Sequence, residues 1–428
     1  MSAFVFDGPD GQRYPKLTHY LFRFPAKFHP PVARALLEQY APKRGVLLDP
    51  FCGSGTLLVE AAVTGHKAIG SDVDPLAVFV SRAKTHAVSP RALDRAISEL
   101  ENHLCKIRRD DLWYEAHQHD DISVGSYRRR LDGATVPPIP NLNHWFRSYV
   151  TADLALIRRA IQQVAAGAPV RRLLLLFFAG IIRNASNADP VPVSGLEFTK
   201  HMRERDRAGR VINPFALFDG ALRRGSIAMR EFSDLSRSEP HVFKADATKL
   251  STAMDGRVGA VITSPPYHAA VDYYRRHQLE TYWLGLVRNH EERLRLRSQY
   301  IGAKPKRSHS FIVEEEIPSR FAADLEKRMR KTNPERADTF KHYCVAMSRV
   351  FQQMHTRLNP GGKAVFVVGN SRWGDEVLNS PDLLEDLAFP WFRLGDVKEY
   401  SVKNRYMSYT RHNAASIDRE FVLVFSRA

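Results

Sequence analysis

Cysteine is scarce in this sequence of 428 residues, which contains only Cys52, Cys105 and Cys344. Three widely spaced cysteines exclude a disulfide framework and a cysteine-based zinc site. No His, Cys and Asp residues cluster at the spacing of metal ligands, so we expect no metal. Few cysteines are typical of a reducing compartment, and we expect a cytoplasmic location.

Long hydrophobic segments are also missing from the sequence. The longest apolar run, residues 173–182, is too short to cross a bilayer. The first eight residues lack the basic segment and apolar stretch of a signal peptide. We therefore expect a soluble protein that does not bind a membrane.

Acidic residues are fewer than basic residues: the sequence contains 63 Lys and Arg and 47 Asp and Glu, which gives a formal net charge of +16. A polyanionic partner is the simplest explanation of this excess, and DNA or RNA fits better than an anionic membrane. A merely basic soluble protein is the alternative. The composition, 44% hydrophobic and 26% charged, is that of a globular protein.

Two short apolar segments that each end in an acid lie near the N-terminus. Residues 45–49 and 68–72 have the pattern of buried strands, and residues 56–63 have helical periodicity. Further helices are predicted after Pro30 and from Pro75. A strand, a helix and a strand in this order predict a parallel βαβ unit, and therefore an α/β fold.

The pattern changes to helices and polar loops from about residue 90 to residue 240, which predicts an insertion. Its main helices are expected at residues 92–104, 152–164 and 172–182. Two charged clusters, residues 108–111 and 128–130, are expected to be exposed.

Strand signals resume after the helical region. Strands are predicted at residues 241–246 and 258–262, and a long helix is predicted at residues 339–358. A turn at residues 360–362 should then precede the strand at residues 363–369, and residues 421–425 should form the last strand.

A glycine-rich turn follows the first predicted strand: residues 49–56 read Asp-Pro-Phe-Cys-Gly-Ser-Gly-Thr. Gly53 and Gly55 allow a ligand to approach the backbone. The sequence lacks the Gly-x-x-x-x-Gly-Lys string of a P-loop, and Leu58 stands where a dinucleotide site has its third glycine. S-adenosyl-L-methionine (AdoMet) remains: the turn would hold its methionine end, and Asp72 its ribose hydroxyls. An ordinary glycine turn is the alternative.

A second motif, Ser264-Pro265-Pro266-Tyr267, follows a predicted buried strand. Two prolines make the loop rigid and leave carbonyls free to accept hydrogen bonds. The Ser264 hydroxyl and the Pro265 carbonyl would orient a target amine, and Tyr267 would stack on an extruded base. A proline turn with a surface tyrosine is the simpler alternative.

With these two motifs in this order, the chain resembles the amino-methyltransferases of DNA, in particular those with a Ser-Pro-Pro-Tyr loop, which typically make N4-methylcytosine. The resemblance implies a Rossmann-like, AdoMet-dependent methyltransferase fold, with a mostly parallel seven-stranded sheet, helices on both faces and a largely helical insertion. It also implies double-stranded DNA as the partner and a flipped-out cytosine as the target.

The candidate residues follow from the motifs and the resemblance together. The candidate catalytic residues are Ser264, Pro265, Pro266 and Tyr267. The candidate cofactor-binding residues are Lys27, Phe28, Asp49, Phe51, Cys52, Gly53, Gly55, Thr56, Asp72 and Asp246. For Asp246 an exposed strand end is as good an interpretation as a place near the adenine amino group, and for Asp74 a helix N-cap is at least as good as ligand contact.

The resemblance divides the chain into three parts. Residues 1–90 are expected to form the first, AdoMet-binding part of the catalytic domain. Residues 91–240 are expected to form a mostly helical insertion and a possible DNA-recognition region. Residues 241–428 are expected to form the second part of the catalytic domain, with the base-binding loop and the basic segment 288–336. The insertion lies earlier than the usual target-recognition domain of the family, so the basic segment 288–336 is a rival for contact with DNA. Residues 404–409 and 419–425 resemble the C-terminal end of the family.

Other functions fit the sequence less well. Cytosine C5 methylation needs a nucleophilic cysteine, usually after proline, but no Pro-Cys dipeptide occurs and Cys52 belongs to the glycine turn. Adenine-N6 and RNA guanine-N2 methylation stay as alternatives, although the resembling enzymes usually carry Asp where this chain has Ser264. A basic DNA-binding protein without activity would explain the charge but not the two motifs.

Overall fold

The computed structural model describes residues 2–4, 14–25, 27–118, 128–131, 133–190, 195–268, 273–302, 315–373, 376–401 and 419–428. Strands form a central sheet and one separate hairpin. The sheet strands are β1 (Ser2–Ala3), β2 (Val46–Asp49), β3 (Lys67–Asp72), β4 (His241–Lys244), β5 (Val258–Thr263) and β6 (Leu358–Gly369). The hairpin pairs β7 (Ser371–Trp373) with β8 (Glu376–Leu378), and the sheet ends with β9 (Phe392–Ser401) and β10 (Arg419–Arg427).

Helices lie before, between and after these strands. Those before β4 are α1 (Pro30–Tyr40), α2 (Thr56–Thr64), α3 (Pro75–Thr85), α4 (Pro90–Leu104), α5 (Asp111–Ala116), α6 (Arg128–Leu131), α7 (Leu142–Trp145), α8 (Ser148–Gln163), α9 (Ala168–Ala185), α10 (Lys200–Arg207) and α11 (Pro214–Leu235). Those after β5 are α12 (Tyr273–Arg276), α13 (Gln278–Trp283), α14 (His290–Arg297), α15 (Arg320–Thr332), α16 (Pro334–Arg357) and α17 (Ser380–Ala388). Across the described ranges, no helix is both long and apolar enough to cross a membrane.

The central sheet has the strand order β1-β9-β10-β6-β5-β2-β3-β4. Neighbouring strands from β6 to β4 are parallel, whereas β10 is antiparallel to both β6 and β9. The predicted mostly parallel sheet of seven strands is therefore confirmed, with one reversed strand and the two-residue β1 added at an edge. The carboxyl ends of β2, β3 and β5 lie at the same sheet edge, which is where ligands bind in open parallel sheets.

Helices cover both faces of the sheet. Successive residues of β2 point to opposite faces, so Leu47 packs in the core with α1 and α2, and Leu48 packs in the core with α16. Both side chains are almost completely buried. Burial on both faces is typical of parallel sheets and explains why these strands are short apolar runs in the sequence.

The helices between β3 and β4 confirm the predicted helical region. Their apolar side chains form one core with the first part of the chain, because Leu154 and Leu173 belong to the same buried cluster as Val59 of α2 and Leu76 of α3. The helical region therefore packs directly on the helices that follow the glycine turn.

The predicted exposure of the two charged clusters is confirmed at Arg108, Asp110 and Asp111 and is wrong at Arg109 and Arg130, which are half-buried. Arg109 and Arg130 approach the buried carboxylate of Asp153, with nitrogen-to-oxygen distances of 3.9 and 3.2 Å. The Tyr114 hydroxyl also donates a hydrogen bond of 2.8 Å to Asp153. A carboxylate buried among apolar helices requires such partners, so these arginines stabilise the interior of the helical region.

The predicted turn at residues 360–362 lies inside β6. The pairing with β5 shifts there, because Val258 pairs with Leu358 while Ala260 pairs with Lys363. Gly361 has a φ angle of 79°, which favours glycine. The turn signal thus marks an irregularity within a strand and not its beginning.

Candidate active site at the carboxyl ends of β2, β3 and β5

The glycine turn joins β2 to α2 and packs against α3. Gly53 and Gly55 have φ angles of 48° and 73°. A Cβ atom on Gly55 would lie 2.8 Å from the hydroxyl oxygen and 3.1 Å from the Cα atom of Ser81, so only glycine fits there. At Gly53 the nearest atom to such a Cβ is a ring carbon of Phe24, at 3.5 Å. The side of the turn away from α3 is therefore the more open one.

Two side chains of α3 bind carbonyl oxygens of the turn. The Ser81 hydroxyl donates a hydrogen bond of 2.8 Å to the Gly53 carbonyl. The Lys84 ammonium donates one of 2.6 Å to the Ser54 carbonyl. Neither residue is predicted from the sequence, because a serine and a lysine on a helix carry no local signal for a contact with a turn about 30 residues earlier.

Asp72, at the end of β3, connects the turn to the next loop. Its two carboxylate oxygens accept hydrogen bonds of 2.9 Å from the backbone N–H groups of Gly53 and Asp74. Burial, and secondly the neighbouring charge of Asp74, raise the pKa of Asp72 to about 7. The Asp74 carboxylate accepts a 2.8 Å hydrogen bond from the backbone N–H of Leu76, which confirms its interpretation as the N-cap of α3.

Asp49 and Thr263 join the two motifs. The Thr263 hydroxyl, at the end of β5, donates a hydrogen bond of 2.7 Å to the Asp49 carboxylate, at the end of β2. Both side chains are buried. Burial raises the pKa of Asp49 to about 7. The proline loop begins at Ser264, directly after Thr263, and the Thr263 side chain is hydrogen-bonded to Asp49 at the start of the glycine turn.

The Ser264–Tyr267 loop leaves β5 at this same edge of the sheet. The side chain of Pro265 is buried, and those of Ser264 and Tyr267 are half-buried. The Tyr267 hydroxyl donates a hydrogen bond of 3.2 Å to Glu420 of β10. The Tyr400 hydroxyl donates another to the second oxygen of Glu420. Burial raises the pKa of Glu420, and its carboxylate fixes the direction of the Tyr267 ring.

The N-terminal candidates lie beside the glycine turn. Lys27 donates a hydrogen bond of 3.0 Å to the His19 carbonyl, and its ammonium lies 3.9 Å from the centre of the Tyr20 ring. Burial lowers the pKa of Lys27 to about 8. Phe28 is half-buried and packs on the core below α1.

The remaining candidates of the turn, Cys52, Phe51 and Thr56, differ in their burial and in their hydrogen-bond partners. Cys52 is buried with its sulfur 3.8 Å from the Ser81 hydroxyl, and burial holds the pKa of its thiol well above the usual range. Phe51 is half-buried and packs towards α16. The Thr56 hydroxyl is buried and has no hydrogen-bond partner within the described residues. An unpartnered polar atom at the start of α2 is consistent with a ligand bound at the turn.

Asp246 lies just after β4. Its carboxylate accepts hydrogen bonds of 2.9 and 2.7 Å from the backbone N–H and the hydroxyl of Thr248. The preceding Ala245 N–H donates to the Asp72 carbonyl at 3.1 Å. Asp246 is therefore near the ribose candidate, and its contact with the cofactor stays a prediction. Residues 404–409 lie outside the described residues.

Metal coordination has no candidate in the described ranges, where no three His, Cys, Asp or Glu side chains come together as possible ligands.

Comparison with known proteins shows that this chain is similar to methyltransferases. Residues 19–111 match the RMKL-like methyltransferase domain family (UPF0020). The type II methyltransferase M.MvaI of Kocuria varians is 28% identical over 294 residues, which cover 65% of this chain and 60% of the relative. The match thus spans less than two thirds of that enzyme. The type II methyltransferase M.BsoBI of Geobacillus stearothermophilus is 21% identical over 425 residues, covering 90% of this chain and 80% of the relative.

A shorter segment of the chain is similar to tRNA methyltransferases. The tRNA (guanine(10)-N2)-dimethyltransferase of Methanocaldococcus jannaschii is 48% identical over 46 residues, or 10% of this chain and 13% of the relative. The family match includes the glycine turn and Asp72. AdoMet is therefore the cofactor, and the open side of the turn, the unpartnered Thr56 hydroxyl and the carboxylate of Asp72 fit its polar groups.

Proposed function

We propose that this chain is a DNA methyltransferase that transfers a methyl group from AdoMet to the exocyclic N4 amine of cytosine in double-stranded DNA, and its similarity to two type II methyltransferases supports the proposal. The observation that carries the proposal is the position of the Ser264–Tyr267 loop. It leaves β5 beside the glycine turn that leaves β2, and the Thr263–Asp49 hydrogen bond of 2.7 Å holds the two together.

The residues of the loop suit a direct transfer. Bound AdoMet supplies an electrophilic methyl group on a sulfonium. The Ser264 hydroxyl and the Pro265 carbonyl accept hydrogen bonds from the target N–H groups, which orients the amine and raises the electron density on nitrogen. The nitrogen lone pair would form the N–C bond as the S–C bond breaks, S-adenosyl-L-homocysteine would leave, and the proton released from nitrogen would pass to water. Tyr267 stacks on the base that has been flipped out of the duplex.

Cytosine is favoured over other bases by Ser264, through the resemblance to enzymes with a Ser-Pro-Pro-Tyr loop. Guanine N2 of tRNA is the second candidate, because the match with the Methanocaldococcus jannaschii enzyme reaches 48% identity over its 46 residues. Adenine N6 is the third. All three targets are exocyclic amines, so the same acceptors serve each of them.

The surface that contacts DNA is proposed to be the basic segment 288–336 and not the helical insertion 91–240. The segment approaches the base-binding loop, since a Cβ atom on Gly302 would lie 3.5 Å from the Tyr267 carbonyl. Within α14, the guanidinium of Arg293 lies 4.5 Å from the ring centre of Tyr274, seven residues beyond Tyr267. Basic side chains near the loop would bind phosphates next to the target base. In this proposal residues 1–90 and 241–428 form the catalytic domain.

Identification of the methylated nucleoside tests the proposal. The protein is incubated with isotopically labelled AdoMet and either double-stranded DNA or tRNA, and the digested nucleosides are identified by mass spectrometry. We expect labelled N4-methylcytosine from DNA. Labelled N6-methyladenine or N2-methylguanine would contradict the proposal for cytosine and identify adenine or guanine as the target base.

A variant of the loop controls this experiment. The double substitution S264A/Y267A should abolish labelling while AdoMet binding, measured by calorimetry, survives. Full activity of that variant would remove the loop from the active site. Binding of DNA and AdoMet without any labelled nucleoside would favour a DNA-binding protein that lacks activity.

A further inference from the structure

Lys84 is a completely buried lysine behind the glycine turn. It lies in the last turn of α3, and its ammonium donates one hydrogen bond of 2.6 Å to the Ser54 carbonyl. Its own carbonyl accepts a 2.9 Å hydrogen bond from the Thr18 hydroxyl, so the backbone there is fixed as well. An ammonium group has three N–H donors, and one of them is used by Ser54.

The charge of Lys84 has no carboxylate partner in the described part of the chain. The charged group that most affects it is a second cation, Lys27, and burial together with this repulsion holds the pKa of Lys84 well below its usual range. Lys27 likewise contacts a carbonyl and a tyrosine ring and no carboxylate there. A buried cation without an anion costs free energy, so an anion that binds close to Lys84 and Lys27 would be stabilised by both charges.

We propose that Lys84 is a positioning residue for the amino-acid end of the cofactor, and that it and Lys27 balance the negative charge of the AdoMet α-carboxylate. Lys84 acts from behind the turn: it holds the Ser54 carbonyl and places a positive charge within the low-dielectric interior below the methionine end. Lys27 lies on the N-terminal side of the same turn. The inference rests on AdoMet as the cofactor and is independent of which base is methylated.

The charge arrangement explains why the two ends of the cofactor need different surroundings. Asp72 is bonded to the Gly53 N–H and offers carboxylate oxygens to ribose hydroxyls. An anion such as the α-carboxylate would be repelled by Asp72, so the cations at Lys27 and Lys84 make the turn favourable for it. Binding of the carboxylate should also raise the pKa of both lysines towards the ordinary range.

Ligands that differ only in the amino-acid end test the proposal. AdoMet and S-adenosyl-L-homocysteine carry the α-carboxylate, whereas 5′-methylthioadenosine keeps the nucleoside and the sulfur but lacks it. In calorimetry, K84M should weaken AdoMet and S-adenosyl-L-homocysteine by about tenfold or more, the cost of losing a charged partner. The Kd of 5′-methylthioadenosine should stay within about twofold, because the nucleoside site is unchanged.

Companion variants separate charge from structure. K84R keeps the charge and should retain more AdoMet affinity than K84Q, which keeps only an N–H donor. Lys27 is less buried than Lys84, so K27M should fold even if K84M does not. It should show the same selective loss of affinity for AdoMet and S-adenosyl-L-homocysteine. K200M, on exposed α10, serves as the matched control with unchanged affinities. Equal loss of affinity for AdoMet and 5′-methylthioadenosine in K84M, or no loss for either ligand, would overturn the proposal. Binding of AdoMet to the wild type is measured separately from methyl transfer, so failure of this proposal can be distinguished from failure of the proposed function.

Discussion

The Thr263 hydroxyl donates a 2.7 Å hydrogen bond to the Asp49 carboxylate, and the two residues are separated by 214 positions in the chain. Each is the last residue of a parallel strand; Asp49 is the first residue of the glycine motif, and Thr263 directly precedes the Ser264–Tyr267 loop. The bond is buried, so water does not compete for it. It therefore fixes the distance between the turn proposed to bind the cofactor and the loop proposed to bind the base.

Removal of this hydrogen bond should destabilise the fold. T263V keeps the shape of the side chain but leaves the buried Oδ1 atom of Asp49 with only the 3.3 Å hydrogen bond from the Phe51 N–H, and we expect the free energy of unfolding to fall by about 1–3 kcal/mol. Urea unfolding measures the change. T356V removes a hydroxyl from an exposed position of α16 and should change stability by less than about 0.5 kcal/mol. Equal losses in the two variants would contradict the importance of the Thr263–Asp49 bond.

The affinity for AdoMet should depend on pH through Asp72. Burial, and then the charge of Asp74, raise the pKa of this carboxyl to about 7 in the free protein. Ribose hydroxyls bind the ionised form better, because it accepts with both oxygens. Affinity should therefore rise as the pH rises through 7, and ionisation of Asp72 should contribute about a tenfold decrease in Kd between pH 6 and pH 8.

D72N provides the control for this pH dependence. The variant cannot ionise, so its affinity for AdoMet should be weaker and should change little between pH 6 and pH 8. D49N should retain the pH dependence, because Asp49 is bonded to Thr263 and not to Gly53. A pH profile that is the same in D72N and the wild type would assign the dependence to another group.

The sequence predicts the elements whose signals are local and misses the contacts that join distant segments. The apolar runs at residues 45–49 and 68–72 predict strands, because parallel strands are buried on both faces and are therefore apolar throughout. Glu420 had no signal, since its partner Tyr267 lies 153 residues away. The predicted exposure is wrong at Arg109 and Arg130. A charged cluster has the same sequence pattern whether it contacts water or the buried carboxylate of Asp153.

Binding to DNA should weaken with salt if the basic segment contacts phosphates. A protein with four phosphate contacts loses about a hundredfold in affinity between 50 and 200 mM salt. R288Q/R295Q changes two side chains that are 84% and 73% exposed, and it should reduce the slope of log K against log salt by about 1.8 if both contact phosphate. K200Q/R203Q, in α10 of the insertion, should leave the slope unchanged. The reverse result would assign DNA contact to the insertion.

Tyr267 and Glu420 should act on methyl transfer as one unit. Y267F keeps the ring that stacks on the base but loses the hydroxyl, and E420A removes the acceptor, so each should slow single-turnover transfer by about tenfold through a ring that is less well placed. AdoMet affinity should be unchanged in both. Because the two substitutions break the same hydrogen bond, the double variant should also be slower by about tenfold and not by about a hundredfold. Y267A, which removes the stacking ring itself, should be slower than either. Additive losses in the double variant would show that Glu420 acts through Tyr400 and not through Tyr267.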